Sequence, residues 1–188
     1  SIGTDMFDLD AAREHGVIIS NQPGRTAPVV AEHMLALMFA VARRLAYFTA
    51  EMKAGNWPRM DSMMLQGKTL GVIGTGNIGA EVVRLGKAVG MDVIAWTFNP
   101  SPERAAKLGV RFVEFDDLVR ECDVLSLNVR LSDQSRHMIG ERELGLMKPG
   151  SLLVNGGRGE LVDTAALIRA LDSGHLAGAA LDVFDVEP

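Results

Sequence analysis

The stretch Thr69-Leu-Gly-Val-Ile-Gly74-Thr-Gly76-Asn-Ile-Gly79 joins a short apolar run to three glycines in the spacing Gly-x-Gly-x-x-Gly. The run before the glycines predicts a buried strand, and the apolar spacing of Val82, Val83 and Leu85 after them predicts a helix. Between a strand and a helix, such glycines allow a tight turn, a close approach of a ligand to the backbone, and close packing of the helix on the strand. The stretch therefore predicts a strand–turn–helix unit whose helix N-terminus faces an anionic ligand.

The anion that suits this turn is the diphosphate of a dinucleotide, because unpaired N–H groups at a helix N-terminus attract phosphate oxygens. The candidate cofactor contacts in the turn are Gly74, Gly76, Asn77, Ile78 and Gly79. An acidic residue at the end of the second strand would normally bind the ribose, but the strand predicted at 92–96 is followed by Thr97-Phe98-Asn99. Thr97 or Asn99 could bind the ribose instead. Since neither an acid nor an arginine stands at 97 or 98, NAD and NADP both stay open, with NAD favoured.

The rest of the chain alternates strands with helices, a pattern typical of a parallel sheet covered on both faces. The predicted strands are 17–20, 69–73, 92–96, 111–113, 123–127, 151–154 and 177–181. The predicted helices lie near 27–49, 77–89, 102–108, 115–121, 141–147 and 163–173. Right-handed crossovers then give an α/β fold, a Rossmann-type doubly wound parallel sheet, with residues 1–188 as a single dinucleotide-binding domain.

Composition excludes several classes of protein. The 188 residues carry a net charge of −5 and are 47% hydrophobic, which suits an ordinary core and argues against nucleic acid or an anionic membrane as partner. The longest apolar run, 34–42, is far short of the ~20 residues that span a bilayer. The single cysteine, Cys122, points to a reducing compartment, so we expect a cytoplasmic protein with Cys122 as a half-buried packing residue. The chain opens on Ser1 and stops at Pro188 without a capped helix, so both ends are expected to be cuts.

The helix predicted near 27–49 is apolar on almost all sides. One face carries Val30, Met34, Leu37, Met38, Val41, Leu45 and Phe48, and Leu35, Phe39, Ala42 and Ala46 cover much of the other. A sheet covers one side of a helix only, so the second face favours a subunit interface over a helix buried within its own domain. The segment 56–66, with Trp57 and three methionines, is a second candidate contact, and a loop packed on the core is its alternative. We therefore expect a homodimer through helix 27–49.

Ligands of open α/β sheets bind beyond the carboxyl ends of the strands, which selects further residues. Those that follow predicted strand ends are Asn128, Val129, Arg130, Asn155, Gly156, Gly157, Arg158, Gly159, Asp182 and Glu187. Arg158 is the candidate substrate-binding cation, because a guanidinium can bind a carboxylate through two hydrogen bonds. Arg130 is favoured as a solvated loop residue, although with Asn128 and Val129 it is kept as a candidate cofactor contact.

The four histidines have no good position for general acid/base chemistry. His33, in the apolar helix, is expected to be a hydrogen-bonded structural residue. No His, Cys or carboxylate cluster has metal-ligand spacing, so we expect no metal.

The ordered motifs of the chain resemble the D-isomer-specific 2-hydroxyacid dehydrogenases, a family that includes phosphoglycerate and glycerate dehydrogenases. The matching segments are 16–21, 23–24, 30–33, 67–71 with the glycine turn, 147–150, 155–159, 162–163, 177–184 and 187–188. The resemblance implies the cofactor domain of a two-domain NAD(P)-dependent oxidoreductase that transfers a hydride between nicotinamide and a D-2-hydroxy or 2-keto acid. The family's substrate domain and acid/base histidine are expected outside this chain, which should bind cofactor with little or no turnover. Dimers of the family form through this domain.

The resemblance also implies roles for single residues. Arg158 would bind the carboxylate and carbonyl side of the substrate, and Glu187 would orient the catalytic histidine; these two are the candidate catalytic residues. Cofactor contacts would fall on Asn77, Ile78, Thr97, Gly156, Gly157, Arg158 and Asp182, the last near the nicotinamide. This chain departs from the family pattern at two places. Thr97 replaces the usual acidic residue, and Gly156-Gly157 replaces a pair of small residues that is usually Ala/Thr-Ser-like, which could loosen that loop.

Other classes of protein remain as alternatives at this point. A non-catalytic, dinucleotide-sensing dimer of the corepressor type would share the glycine turn. The NAD domain of an adenosylhomocysteinase-like hydrolase and an adenosylmethionine-binding Rossmann protein would also share it, but both lack a counterpart to the motifs around Arg158 and Glu187.

Overall fold

The computed structural model describes residues 7–22 and 24–187. Six strands form one sheet: β1 Thr69–Ile73, β2 Asp92–Trp96, β3 Arg111–Phe112, β4 Val124–Leu127, β5 Ser151–Asn155 and β6 Leu176–Leu181. Every ladder is parallel, and the strand order is β3-β2-β1-β4-β5-β6. The chain winds outward in one direction from β1 and then in the other from β4, which confirms the doubly wound parallel sheet. The reversal opens a crevice beyond the carboxyl ends of β1 and β4.

The helices of the described residues cover both faces of this sheet. They are α1 Leu9–Glu14, α2 Ala27–Ala42, α3 Leu45–Lys53, α4 Asn77–Ala88, α5 Pro102–Leu108, α6 Phe115–Glu121, α7 Glu141–Leu146 and α8 Thr164–Asp172. Because side chains alternate along a strand, β5 contributes to two hydrophobic cores, one on each face of the sheet. Leu152 and Val154 pack in the core beneath α2 and α4, and Leu153 packs in the core beneath α6, α7 and α8. No helix among residues 7–22 and 24–187 has the length and apolarity needed to cross a bilayer.

The strand predicted at 17–20 is wrong. The structure describes these residues as a loop, in which Val17 is 59% and Ile18 is 94% exposed. A β-branched run supplies only propensity, and a strand forms when a neighbour pairs with its backbone. None of the six described strands pairs with this segment. The preceding helix α1 escaped prediction; the Asp8 carboxylate caps it by accepting the N–H groups of Asp10 and Ala11.

The single helix predicted near 27–49 is also wrong, because the chain breaks into α2 and α3 at Arg44. Arg44 has φ +52° and ψ +37°, the left-handed conformation that ends a helix. The segment that follows α3 stabilises the left-handed turn at Arg44 through two hydrogen bonds. Met63 N–H donates to Ala42 O over 2.9 Å, and Arg44 Nε donates to Asp61 O over 3.2 Å. Long-range hydrogen bonds, rather than a local breaker residue, therefore set the end of α2.

Three further helix ends are set by residues typical of such positions. Gly90 follows α4 with φ +85°, the Ser101 hydroxyl caps α5, and the Asp163 carboxylate caps α8 by accepting Ala166 N–H over 2.9 Å.

Cys122 is more deeply buried than predicted, with no exposed surface, and burial raises the pKa of its thiol to about 12. Its role is packing, as expected.

Candidate functional site

The carboxyl ends of five neighbouring strands lie level with one another. The backbone register pairs Trp96 with Ile73, Ile73 with Leu127, Leu127 with Asn155, and Asn155 with Leu181. Each candidate loop begins one residue after this row, at Thr97, Gly74, Asn128, Gly156 and Asp182. The structure therefore brings the candidate cofactor residues, which are scattered along the chain, to one edge of the sheet.

The glycine turn after β1 is tightly packed on one side and open on the other. Gly74 has φ +90°, and a Cβ there would lie 2.7 Å from Val129 Cγ1 and 2.8 Å from Asn128 O. A Cβ at Gly79 would overlap the carbonyl oxygen of Gly74. At Gly76, in contrast, a Cβ would meet none of the described atoms within 4 Å. The turn thus holds α4 close to the sheet and leaves room in front of Gly76.

The N-terminus of α4 faces the open space in front of Gly76. Gly76 is the N-cap, and no side chain of the described residues caps the helix. The first backbone hydrogen bond of the helix runs from Ala80 N–H to Gly76 O, over 2.9 Å. The N–H groups of Asn77, Ile78 and Gly79 therefore lack intrahelical acceptors and point out of the helix end. Together with the helix dipole they form a site for an anion.

Two buried polar atoms beside the turn have no hydrogen-bond partner among the described residues: Thr75 Oγ1 and Asn128 Oδ1. Asn128 is held in place because its Nδ2 donates to Ser126 O at 3.2 Å and to Ser126 Oγ at 3.0 Å. Buried polar atoms without partners are rare in folded proteins and call for a ligand or a water. The uncapped N–H groups of α4 and the open space in front of Gly76 suit a diphosphate, so the residues present fit a dinucleotide.

The loop after β5 is fastened by Asn155, whose side chain is almost fully buried. Its Nδ2 donates to Arg158 O over 2.8 Å, and its Oδ1 accepts Gly157 N–H over 3.0 Å. A Cβ at Gly156 would overlap Met34 Sδ of helix α2. Gly156 therefore permits contact with α2 inside a hydrogen-bonded loop. The half-buried Arg158, which donates from Nη1 to Gly157 O, stands at a defined place on the edge.

Asp182, at the end of β6, contacts helix α2. Its Oδ1 lies 3.1 Å from His33 Nε2, and both side chains are about half exposed. His33 is hydrogen-bonded, as predicted, but it stands at the functional edge rather than in the core. Glu187 lies further along the tail, where its Oε1 accepts the N–H of Phe184 over 3.1 Å.

The remaining candidate positions lie at the rim or elsewhere. Arg130 is exposed in the loop after β4, consistent with a solvated residue. His15 contacts Ala11 O at the end of α1, and His175 contacts Leu144 O before β6. Within the described ranges, no group of three or more His, Cys, Asp or Glu residues has the geometry to hold a metal ion.

Sequence reasoning missed two residues at this edge. Thr75 occupies a variable position of the glycine motif, so nothing in the motif marks it. Arg104 belongs to α5, eight residues beyond the end of β2, yet its Nη1 lies 3.4 Å from Asn99 O. The signal that could have found Arg104 is the helix start at Ser101-Pro102, because a helix that begins there turns its first residues back toward the strand end.

Comparison with known proteins gives the site its context. Residues 35–188 match the family model described as the NAD binding domain of D-isomer specific 2-hydroxyacid dehydrogenases. Aligned over its whole length, the chain is 40% identical to a glyoxylate reductase from Thermococcus litoralis, of which it covers 60%. It is likewise 43% identical to a hydroxypyruvate reductase from Thermotoga maritima, of which it covers 61%. The structure resembles that of D-lactate dehydrogenase from Aquifex aeolicus complexed with NAD and lactic acid, with a TM-score of 0.86 and 36% sequence identity. The superposition covers 98% of this chain and 56% of that protein.

The chain thus spans about 60% of the length of the two reductases that it matches. The matched region contains the glycine turn, every strand of the sheet and the Arg158 loop. The fold and the cofactor edge described above lie within the aligned part of these proteins. The chain belongs to the D-isomer specific 2-hydroxyacid dehydrogenase family, of which it forms the NAD-binding domain.

Proposed function

We propose that this chain is the cofactor domain of a two-domain oxidoreductase that interconverts a D-2-hydroxy acid and the corresponding 2-keto acid. Bound NAD would supply the nicotinamide, which donates or accepts a hydride at its C4 carbon. Glyoxylate and hydroxypyruvate, which appear in the names of the relatives, are both 2-keto acids. The chain's own residues would bind and orient the cofactor and hold one end of the substrate.

The observation that carries this proposal is the position of Arg158 on the same sheet edge as the glycine turn. Only β4 separates the strand that leads to Arg158 from the strand that leads to Gly74. The backbone of Arg158 is held by Asn155 over 2.8 Å, so the guanidinium starts from a fixed point. A guanidinium binds a carboxylate through two parallel hydrogen bonds. Arg158 would thereby orient the C2 carbon of a 2-keto acid toward the cofactor.

The remaining residues receive roles from their places along the edge. Gly74, Gly76, Asn77, Ile78 and Gly79 would hold the diphosphate. Asn128, Val129, Arg130 and Thr97 would border the adenosine half, and Gly156, Gly157 and Asp182 the nicotinamide half. Glu187 would orient an acid/base histidine supplied from outside this chain.

Activity assays on two proteins test this proposal: the 188-residue chain and a full-length protein that contains it together with the substrate domain. We expect the chain to bind NADH but to oxidise it negligibly with glyoxylate, and the full-length protein to turn over, as followed by NADH absorbance. Turnover by the chain alone at the rate of the full-length protein would contradict the two-domain proposal. NADH binding without turnover of any 2-keto acid by the full-length protein would instead favour a non-catalytic, NAD-sensing role.

We further propose that the chain forms a homodimer through α2 and α3, with the segment 56–66 as part of the same surface. Helix α2 buries one face, Ala27, Ala31, Met34, Met38 and Ala42. Its other side and the neighbouring segments keep large apolar side chains exposed, including Phe39, Leu45, Met52, Trp57 and Met64. Exposed apolar patches of this kind mark interfaces, and a two-fold axis would let the patch cover itself.

Sedimentation of a matched pair of variants tests the dimer. Phe39→Glu places a charge in the patch and should convert a particle of about twice 20.2 kDa into a monomer. Ile168→Glu places the same charge on another exposed apolar residue, which belongs to α8 on the opposite face of the sheet, and should leave the dimer intact. A wild-type chain that sediments as a monomer at tens of micromolar, on the order of concentrations that populate weak complexes, would refute the proposal.

A further inference from the structure

The end of β2 is where a Rossmann domain distinguishes NAD from NADP, because the adenosine ribose lies beside it. Here the end of β2 is joined to the glycine turn by the hydrogen bond from Gly74 N–H to Trp96 O, over 2.8 Å. The residue that follows, Thr97, is half-buried and uncharged. An acid at this place would repel a 2′-phosphate, whereas a threonine does not.

The apolar side of this strand end is already occupied. Phe98 packs edge-on against Trp96, with ring centroids 4.8 Å apart, and Trp96 packs in the same way against Phe115 of α6 at 5.0 Å. Side chains alternate along an extended chain, so Thr97 projects away from this aromatic cluster. The polar groups of the loop, Thr97 and Asn99, are therefore the ones left to meet a ribose.

A cation stands directly beside this loop. Arg104 lies in the first turn of α5, and the Ser101 hydroxyl, which accepts Arg104 N–H over 3.1 Å, fixes the turn against the loop. The guanidinium reaches back to Asn99 O over 3.4 Å, a distance longer than an ordinary N–H···O hydrogen bond. Arg104 forms no ion pair with any carboxylate of the described part of the chain. Its remaining N–H donors are thus available to an anion.

We propose that this domain accepts NADP as well as NAD, with Arg104 binding the 2′-phosphate and Thr97 leaving room for it. The inference rests on the NAD site described above and adds a second cofactor to it. An arginine near the end of the second strand is the group that accommodates a 2′-phosphate in this fold. A planar guanidinium with several donors suits a phosphate better than a lysine would.

Binding measurements on the 188-residue chain test the proposal without any need for turnover. NADH and NADPH are titrated by nicotinamide fluorescence, and 5′-AMP and 2′,5′-ADP compete with NADH to isolate the 2′-phosphate. We expect the Kd of NADPH to lie within tenfold of that of NADH, and 2′,5′-ADP to bind at least as tightly as 5′-AMP. A Kd for NADPH more than tenfold above that of NADH would overturn the inference.

Three variants assign the effect to its residues. Arg104→Gln should weaken NADPH and 2′,5′-ADP roughly 10- to 100-fold, the effect of a lost charge-assisted hydrogen bond, and should leave NADH unchanged. Thr97→Asp should weaken NADPH at least tenfold through like-charge repulsion. Arg84→Gln, on the exposed side of α4, is the matched control and should alter neither cofactor.

The outcomes separate this inference from the cofactor site itself. If Arg104→Gln weakens NADH and NADPH equally, Arg104 does not bind the 2′-phosphate and the inference fails. If NADH binds and NADPH does not, the inference fails and the NAD site stands. If neither binds to a chain with a folded near-ultraviolet circular dichroism spectrum, the NAD site fails as well.

Discussion

Replacing Gly76 and Gly74 by alanine, one at a time, separates cofactor binding from folding. Gly76 has φ −70° and ψ −163°, an extended backbone that alanine adopts, and its Cβ would meet none of the described atoms within 4 Å. Gly76→Ala should therefore leave the free energy of unfolding unchanged or raise it by up to about 1 kcal/mol, because alanine restricts the unfolded chain. Its methyl group, however, projects into the space in front of α4.

Gly74→Ala has the opposite profile. Its backbone is left-handed at φ +90°, and its Cβ would lie 2.7 Å from Val129 Cγ1. Left-handed strain of about 1–2 kcal/mol adds to overpacking of about 1–3 kcal/mol. The sum predicts that Gly74→Ala lowers the free energy of unfolding by about 2–5 kcal/mol.

The effect on NADH follows from the N–H groups that the Gly76→Ala methyl would obstruct. A hydrogen bond to a charged group contributes about 1.5–3 kcal/mol. The loss of one such bond weakens binding roughly 10- to 150-fold, since 1.4 kcal/mol corresponds to a factor of ten. Urea unfolding measures the stability of each variant, and NADH fluorescence measures its Kd.

Three results would contradict these expectations. If Gly76→Ala binds NADH with the wild-type Kd, the diphosphate does not lie in front of Gly76. If Gly74→Ala unfolds at the wild-type urea concentration, the turn is not packed as described. A Gly76→Ala variant that is destabilised would also contradict the open space found at that position.

Three further perturbations test other parts of the account. In the full-length protein, Arg158→Lys should raise the KM for a 2-keto acid about tenfold or more, because the pair of parallel hydrogen bonds to the carboxylate is lost; an unchanged KM would contradict its role. The pKa of the Cys122 thiol is raised to about 12, so above pH ~9 the unfolded chain loses a proton that the folded chain keeps, and stability should fall by about 1.4 kcal/mol per pH unit up to the folded pKa. Urea unfolding of Cys122→Ala should lack this slope, and equal slopes in both proteins would contradict the burial. His33→Ala should raise the Kd of NADH by up to about fivefold, as expected when one member of a half-exposed ion pair is lost. Asp182→Ala should raise this Kd at least as much, and a larger effect of His33→Ala would show that His33 does not act through Asp182.

The sheet could be predicted because its signals are local. The central strands are buried on both faces and read as continuous apolar runs, as Leu152, Leu153 and Val154 illustrate, and each is followed by a loop with glycine or polar residues. The level strand ends then follow from parallel pairing, which places the candidate loops on one edge. Predicted bounds differ from the structure by only one or two residues in these elements.

The failures have a common cause in long-range contacts. The residues 17–20 carry a strand pattern, but pairing with a neighbour decides whether a strand forms. The end of α2 depends on hydrogen bonds with Asp61 and Met63, which lie well beyond it in the chain: Asp61 O accepts from Arg44, and Met63 N–H donates to Ala42 O. Periodicity alone cannot reveal such partners, since an apolar pattern continues across the break at Arg44.

The candidate site shows the same division. The glycine turn and Arg158 are visible as motifs, because their chemistry depends on short spacings. The contact of His33 with Asp182 and that of Arg104 with Asn99 depend on how α2 and α5 pack against the strand ends. These contacts concern the orientation and the choice of the cofactor, which are therefore the properties that required the structure.

The central claim is that the backbone N–H groups at the start of α4 bind the diphosphate of NAD. Amide chemical shifts of the folded chain, followed by nuclear magnetic resonance during an NADH titration, test this most directly. We expect the signals of Asn77, Ile78 and Gly79 to shift strongly and to saturate with the Kd from fluorescence, while those of α8 stay in place. A folded chain in which NADH leaves these three signals unmoved would contradict it.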